Sequence, residues 1–302
     1  MISVVIPTYN AISYLPKLLQ KLGQQTLAHE LIIIDSGSTD GTKELLNGTK
    51  ATLVNIDQAS FNHGSTRNLG LNIAQRDIVL FMTQDALPVT SNTFELLVNM
   101  LCSSDNIAMA YGRQLPYAET KIFGRFARMT NYPGTSLIKD KSLISKLGIK
   151  TCSCSNSFAA YKKDALKSVG EFPDDTILGE DVSVAARMIL RGLSIAYCAE
   201  AEVFHSHDYS ITEEFKRYFD IGVFHNEQKE VLKEFSQAES EGIKYVRQEI
   251  QFLRENGHST LIMEQVIRTL AKYIGYRLGR LEAYIPVNLK SRISMHKSFW
   301  LR

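Results

Sequence analysis

Short apolar runs and helical stripes alternate through the first hundred residues. Ile2–Pro7 (ISVVIP) is a continuous apolar segment stopped by proline, which marks a buried strand. In Ser13–Leu22, residues Leu15, Leu18, Leu19 and Leu22 recur at the spacing of a helix face. Glu30–Asp35 (ELIIID), Ala51–Ile56 and Asp77–Met82 (DIVLFM) read as further strands. Helices are expected at Lys43–Leu46, behind the capping oxygens of Ser38–Thr42, and at Gly64–Ala74 and Thr93–Leu101. Strands separated by helices imply right-handed crossovers, hence an α/β fold with a mostly parallel central sheet covered on both faces.

The second half is less regular. A strand is expected at Ile107–Tyr111. Pro116–Lys150 has no clean period and reads as long loops with short helices. Asn156–Tyr161 reads as a strand, Lys163–Val169 and Asp181–Arg191 as helices, and Ser194–Cys198 and Glu202–His205 as two strands. Beyond Ser210 the pattern is helical. Met263, Val266, Ile267, Leu270, Ile274, Leu278 and Leu281 share one face there, with Arg268, Lys272 and Arg280 off it. The expected division is therefore an α/β domain over 1–210 and a helical region over 211–302.

Composition narrows the class without naming a chemistry. With 44% apolar and 22% charged residues in 302, the chain is an ordinary globular protein. Cys102, Cys152, Cys154 and Cys198 make neither a disulfide framework nor a zinc site, because the C-x-C pair has no second pair to complete it. They read as reduced thiols of a cytoplasmic protein. The N-terminus has no basic segment before Pro7, which argues against a signal peptide, and no apolar run approaches a membrane span of about 20 residues. The net charge of +2 conceals an asymmetry. Arg268 to Arg302 holds eight Lys/Arg against Glu282, a local +7, which leaves −5 on the first 267 residues. A basic tail on an acidic body suggests contact with nucleic acid, lipid headgroups or an acidic partner.

In open α/β sheets, ligands bind at the carboxyl ends of the strands. Three of those ends are strongly polar here: Pro7-Thr8-Tyr9-Asn10, the segment from Asp35 to Gly41 (DSGSTDG), and Thr83-Gln84-Asp85. No G-x-G-x-x-G follows the first strand and no P-loop motif occurs, so dinucleotide and P-loop readings lose their support. Taken singly, each cluster has two readings. The Asp35–Gly41 segment is a ligand loop or a helix-capping turn. Asp85 holds a divalent cation or caps the next loop. Glu180 and Asp181, after Gly179, are site carboxylates or acids complementing a helix dipole. His205 and His207 lie on one face of an extended segment, where they meet one ion or play a structural part. Arg67, in FNHGSTRN, contacts a phosphate or base or forms a surface salt bridge.

Taken in order, VVIPTYN, IIIDSGSTDGT, FNHGSTRNLG, a D-x-D-like element, GED and a strand-borne histidine resemble the family-two glycosyltransferases of the GT-A type over residues 1–210. FNHGSTRN, TQDALP, FHSHDYS and the C-terminal SRISMHKSFW resemble bacterial rhamnosyltransferases that use dTDP-L-rhamnose in surface polysaccharide (O-antigen) assembly. The resemblance implies a nucleotide-sugar-binding, Rossmann-like domain with a donor half at about 1–112 and an acceptor half at about 113–210. It assigns Pro7, Thr8, Tyr9, Asn10 and Asp35 to the nucleoside, Arg67 and Asn68 to the base and ribose, and Thr83, Gln84 and Asp85 to the diphosphate. Asp85 and His205, with His207 as a further ligand, would hold Mg²⁺ or Mn²⁺. The family's D-x-D is Thr83-Gln84-Asp85 here, so only one of its two carboxylates is present. Asp181 would be the general base, and Ser155, Asn156, Ser157 and Glu180 would serve the acceptor.

The implied reaction is inverting transfer of L-rhamnose from a dTDP-sugar donor to a lipid-linked saccharide acceptor. The implied location is the cytoplasm, peripheral on the inner face of the cell membrane. Residues 268–302 would meet anionic headgroups. Alternatively, the last long helix packs on the catalytic domain or on a second copy in a homo-oligomer, with its basic residues solvated. A UDP-hexose or UDP-galactofuranose donor is the alternative within the family. A non-catalytic sugar-nucleotide-binding protein is the alternative outside it, and the presence of both Asp85 and Asp181 argues against that. A nucleotidyltransferase would need a Gly-rich activating loop, which is absent, and nucleic-acid binding rests on the basic tail alone, so no nucleic-acid partner is expected.

Overall fold

A computed structural model describes residues 1–235 and 239–301. Among the described residues, nine strands form one sheet. They are β1 (Ile2–Thr8), β2 (His29–Asp35), β3 (Thr52–Asn55), β4 (Ile78–Met82), β5 (Leu87–Pro88), β6 (Ile107–Leu115), β7 (Leu137–Lys139), β8 (Phe158–Lys162) and β9 (Ser194–Phe204). Their order is β3-β2-β1-β4-β8-β6-β9-β5, with β7 also on β9. The first four strands are mutually parallel, as the alternation of strands and helices predicts. Strand β8 enters antiparallel between β4 and β6, and β9 runs parallel to β6.

The helices are α1 (Leu15–Gly23), α2 (Thr42–Asn47), α3 (His63–Ile73), α4 (Thr93–Cys102), α5 (Ile122–Asn131), α6 (Ile144–Leu147), α7 (Lys163–Ser168), α8 (Glu180–Leu190), α9 (Ile211–Glu227), α10 (Lys229–Leu232), α11 (Glu239–Glu255), α12 (Ile262–Arg280) and α13 (Val287–Ile293). One face of the sheet carries α1 and α4, whose Leu15, Leu18, Phe94 and Leu97 pack on Val4, Ile6 and Leu80. The other carries α3, α8 and α9, whose Leu71, Val184, Met188, Phe219 and Val223 pack on Val5, Ile32, Phe81 and Tyr161. At about 1.5–3 kcal/mol per buried large apolar side chain, the α9 contribution alone anchors the helical region to the sheet.

Two expectations need correction. The segments Ser194–Cys198 and Glu202–His205 are one strand, not two. Gly112 of β6 pairs with Cys198, but Arg113 pairs with Glu202, so residues 199–201 bulge out. The exposed Glu200 interrupts the apolar run there and made one bulged strand read as two. Gly112 is required at this point, since a Cβ would come within 2.3 Å of the Phe158 ring and 2.5 Å of the Ala201 carbonyl. The bulge re-aims the end of β9, and the His205 N–H then donates to the Leu115 carbonyl at 2.9 Å.

The second correction concerns α12. Its apolar stripe faces outward: Met263, Ile267, Leu270 and Ile274 are between 47% and 70% exposed. The face turned inward is glycine and charge. A Cβ on Gly279 would lie 2.0 Å from the Phe219 carbonyl, and one on Gly275 would lie 2.3 Å from that of Phe215, so α9 and α12 touch backbone to backbone. Two basic residues of α12 are paired with acids, while Arg277 and Arg280 are exposed. Arg268 and Lys272 reach the two oxygens of Glu214 at 3.1 and 3.2 Å, and Lys290 pairs with Glu282. Glu282 is already counted in the local +7, so these pairs offset it only through Glu214 and, on Arg268, Glu264, and Arg277, Arg280, Arg292 and Lys297 remain exposed. Arg302 lies outside the described residues. Among them, no helix is long and apolar enough to cross a membrane.

Candidate functional site

The polar ends of β1, β2 and β4 meet. The Tyr9 N–H donates to Gln84 Oε1 at 2.9 Å, and Gln84 Nε2 returns a bond to the Tyr9 carbonyl at 3.1 Å. Asn10 takes a left-handed φ of 46°. Its N–H donates to Ser38 Oγ and its side-chain oxygen accepts from the Thr39 N–H. Asp35 is fully buried, and its carboxylate accepts from Thr8 Oγ1, the Gly37 and Ser38 N–H groups and Ser38 Oγ. Asp35 thus organises the loop from within, and the open rim is left to Pro7, Tyr9, Asn10 and Gln84.

Asp85, His205 and His207 converge. One ligand atom from each lies within 4.8 Å of the other two. His205 Nε2 is 3.4 Å from Asp85 Oδ2, and His207 Nε2 is 3.8 Å from the same oxygen. Burial pushes the Asp85 carboxyl up, but its bond to His205 and the two imidazoles more than offset this and hold it well below the usual carboxylate range. Burial and the adjacent His205 push His207 down to about 4, so its ring is neutral at pH 7 and offers a lone pair. Two imidazoles and one carboxylate on a shared point fit a divalent cation with positions left for phosphate oxygens. A cavity of about 370 Å³ opens beside Asp85, with Lys17, Tyr117 and His207 on its walls. Beyond His207, a cavity of about 1800 Å³ extends between α5, α9, α11 and α12.

The acid pair starts α8. Asp181 Oδ2 accepts from the Asn156 N–H at 3.0 Å and Oδ1 from the Val182 N–H at 2.8 Å. Burial, then the charge of Glu180, pushes the Asp181 carboxyl up into the range of a general base. Glu180 behaves in the opposite sense. Burial raises it, but Arg67 at 3.0 Å and the amide of Asn156 at 3.0 Å keep it ionised. Arg67 is 4% exposed, and Asn68 exchanges two bonds with the Phe172 backbone, at 2.8 and 3.1 Å. Arg67 therefore braces the acid pair from behind, and Asn68 fixes the chain at Phe172. Ser157 accepts from the Thr83 N–H at 3.3 Å, and Ser155 Oγ receives Gln114 Nε2 at 3.0 Å. The loop of Ser155, Asn156 and Ser157 thereby joins the cation cluster to the acid pair.

Sequence reading missed Gln114 and Arg128. Gln114 is 1% exposed and bonds His205, Arg128 and Ser155 at once. A polar residue in a strand with an otherwise apolar burial pattern is a signal, but β6 was expected to end at Tyr111. Arg128 sits on α5, inside the stretch that showed no period.

Comparisons with known proteins bear on the family and the fold. The family model described as "Glycosyl transferase family 2" matches residues 3–170, more than half of the chain. The O-antigen chain rhamnosyltransferase RfbN of Salmonella typhimurium (strain LT2) is 44% identical over 99% of this chain and 96% of its own length. The O-antigen chain rhamnosyltransferase WbaN of Salmonella anatum is 42% identical over 99% and 95%. Among solved structures, the mannosyltransferase PcManGT of Pyrobaculum calidifontis, in complex with GDP-Man and Mn²⁺, superposes with a TM-score of 0.59 at 14% identity, over 91% of this chain and 86% of that one. S. aureus TarS 1–349 in complex with UDP gives 0.54 at 17%, over 93% and 90%. These two carry the fold alone. The family match, and the end-to-end likeness to two curated enzymes, make this chain a member of glycosyltransferase family 2.

Proposed function

We propose that this chain is an inverting rhamnosyltransferase of surface-polysaccharide assembly. It moves L-rhamnose from dTDP-L-rhamnose to a hydroxyl of a lipid-linked saccharide. The observation that carries the reading is the pairing of a cation-fitting cluster with a half-buried carboxylate, Asp181, whose basicity is raised. The likeness to RfbN and WbaN over their whole length supports the sugar. In the reaction the bond from the anomeric carbon to the diphosphate breaks, and the bond to the acceptor oxygen forms on the opposite face. The diphosphate leaves with the electron pair, and Asp181 takes the hydroxyl proton. A divalent cation on Asp85, His205 and His207, Mg²⁺ or Mn²⁺, would neutralise the charge developing on the leaving group. Pro7, Tyr9, Asn10 and Gln84 hold the nucleoside side, with Thr8 and Asp35 behind them. Thr83 begins the turn to Asp85, Arg67 supports Glu180, Asn68 holds the chain at Phe172, and the larger cavity receives the acceptor.

The test is a panel of nucleotides and nucleotide sugars read by melting temperature, since a ligand of the native state raises it. dTDP and dTDP-L-rhamnose should stabilise the protein more than GDP- or CMP-sugars. Greater stabilisation by UDP-galactofuranose or a UDP-hexose would move the enzyme to another donor within the family. Equal or better stabilisation by a GDP-sugar would sink the dTDP assignment.

Peripheral contact with the inner face of the membrane is proposed through the outward stripe of α12 together with the exposed Arg277, Arg280, Arg292 and Lys297. The double variant Leu270→Asp/Ile274→Asp should lose affinity for phosphatidylglycerol vesicles by about tenfold or more, since burying two leucine-sized side chains contributes a few kcal/mol. Added salt should weaken the binding as well, because exposed charges are screened. If the variant instead halves the mass in solution and leaves vesicle binding unchanged, the stripe joins two copies of this chain.

A further inference from the structure

We propose that Gln114 is a positioning residue that holds a proton on Nδ1 of His205, so that Nε2 is the ring nitrogen turned to Asp85. This role rests on the ion-assisted reaction proposed for the site, and it comes from the order in which donors and acceptors are arranged. Arg128 Nη1 bonds Gln114 Oε1. A guanidinium has donors only, so the amide oxygen, not the amide nitrogen, must face it. That choice sends the amide nitrogen to Ser155 Oγ, 3.0 Å away, where it finds an acceptor. His205 Nδ1 lies 2.8 Å from the same amide oxygen. An oxygen already fixed as an acceptor requires Nδ1 to carry the proton. Nε2 is then the nitrogen directed at Asp85 Oδ2, 3.4 Å away, where it can donate to that carboxylate or, on losing its proton, offer a cation its lone pair.

The alternatives are each penalised at a named contact. With the proton on Nε2 alone, the Nδ1 lone pair would oppose the Gln114 oxygen. Turning the amide over would set its NH₂ against the Arg128 guanidinium. Gln114 is 1% exposed, so water cannot repair either mismatch. Once Nε2 has lost its proton, two lone-pair donors, Nε2 and a carboxylate oxygen, thus face one point. An outer partner that fixes the tautomer of a metal-binding histidine in this way typically contributes 10–100-fold to metal affinity. Gln114 also ties the cation cluster to the acceptor-side loop, because Ser155 Oγ in turn accepts the Ser157 N–H at 3.3 Å.

The test uses the full chain with ¹⁵N-labelled histidine, free of metal, at pH 7.5. His205 is assigned by the resonances lost in His205→Asn. The expected result is a protonated Nδ1. A ring with Nδ1 bare and the proton on Nε2 alone would overturn the proposal. The second arm measures Mn²⁺ uptake in the presence of dTDP by electron paramagnetic resonance. Gln114→Leu should weaken it by about tenfold or more, and Gln114→Glu, which keeps the acceptor, should stay within about threefold of the parent. Unchanged affinity in Gln114→Leu also overturns the proposal. A parent protein that takes up no Mn²⁺ with dTDP sinks the ion-assisted reaction instead, and the protonation of Nδ1 measured without metal then decides the role of Gln114 alone.

Discussion

Asp181→Asn is expected to keep the fold and dTDP binding while turnover falls by about 10²–10⁴-fold, the usual weight of a positioned base. The side chain retains its shape but cannot accept the proton of the incoming hydroxyl. Some stability should go as well. Asp181 accepts from two backbone N–H groups, those of Asn156 and Val182, and an amide has one oxygen to offer them. A loss of roughly 1–3 kcal/mol, read from the melting temperature, is the cost of one buried donor left unmatched. A purely structural Asp181 gives a different result, with glycosyl transfer within tenfold of the parent, and that outcome would remove it from the chemistry. The pH profile carries the same argument. A base must be unprotonated to act, and burial together with Glu180 raises the carboxyl of Asp181. kcat/KM should therefore fall on acidification at a pH above the ordinary carboxylate range. Glu180→Gln removes the repelling charge and leaves Arg67 nearby, so the acid limb should move to lower pH.

Asp85→Asn should weaken dTDP binding in Mn²⁺ by about tenfold or more, and have little effect in chelator. The variant removes the single carboxylate of the cluster, whose other members are the neutral ring of His207 and His205. A site with one carboxylate depends on it more than a site with two. His205→Ala should give the same pattern, since both groups would act through the ion. If chelator leaves the turnover of the parent intact, the cluster is a hydrogen-bonded Asp–His group and the reaction proceeds without metal.

The parallel half of the sheet was legible because β1, β2 and β4 are short, apolar and buried, and the stripes of α1 and α4 match the face they cover. The polar strand ends were legible for the same reason, since a strand that stops at Thr8, Asp35 or Met82 delivers its next residues to one edge. Local pattern could not show partners distant in sequence. Arg67 and Glu180 are 113 positions apart and meet only because α3 and α8 lie on one face of the sheet. Gln114 reaches His205 through a three-residue bulge that a period-two reading splits in half. For α12, the stripe told which face is apolar but not which face is buried. Close contact with α9 demanded glycines, and that demand outweighed the burial of leucines.

Phe224 of α9 occupies the place that a side chain on Gly179 would need, 2.8 Å from the position of its Cβ. Gly179 is the residue in front of the acid pair. Residue 210 is therefore no seam at which relatives could be cut and rejoined to exchange acceptor preference. A chimaera made there would set foreign α9 side chains beneath Gly179 and shift Asp181 along with whatever sugar it was meant to recruit. With the proposed roles of Asp181 and the large cavity, choice of acceptor and strength of the base would be inherited together, and altering one without the other would call for substitutions in the cavity wall, away from the Gly179–Phe224 contact.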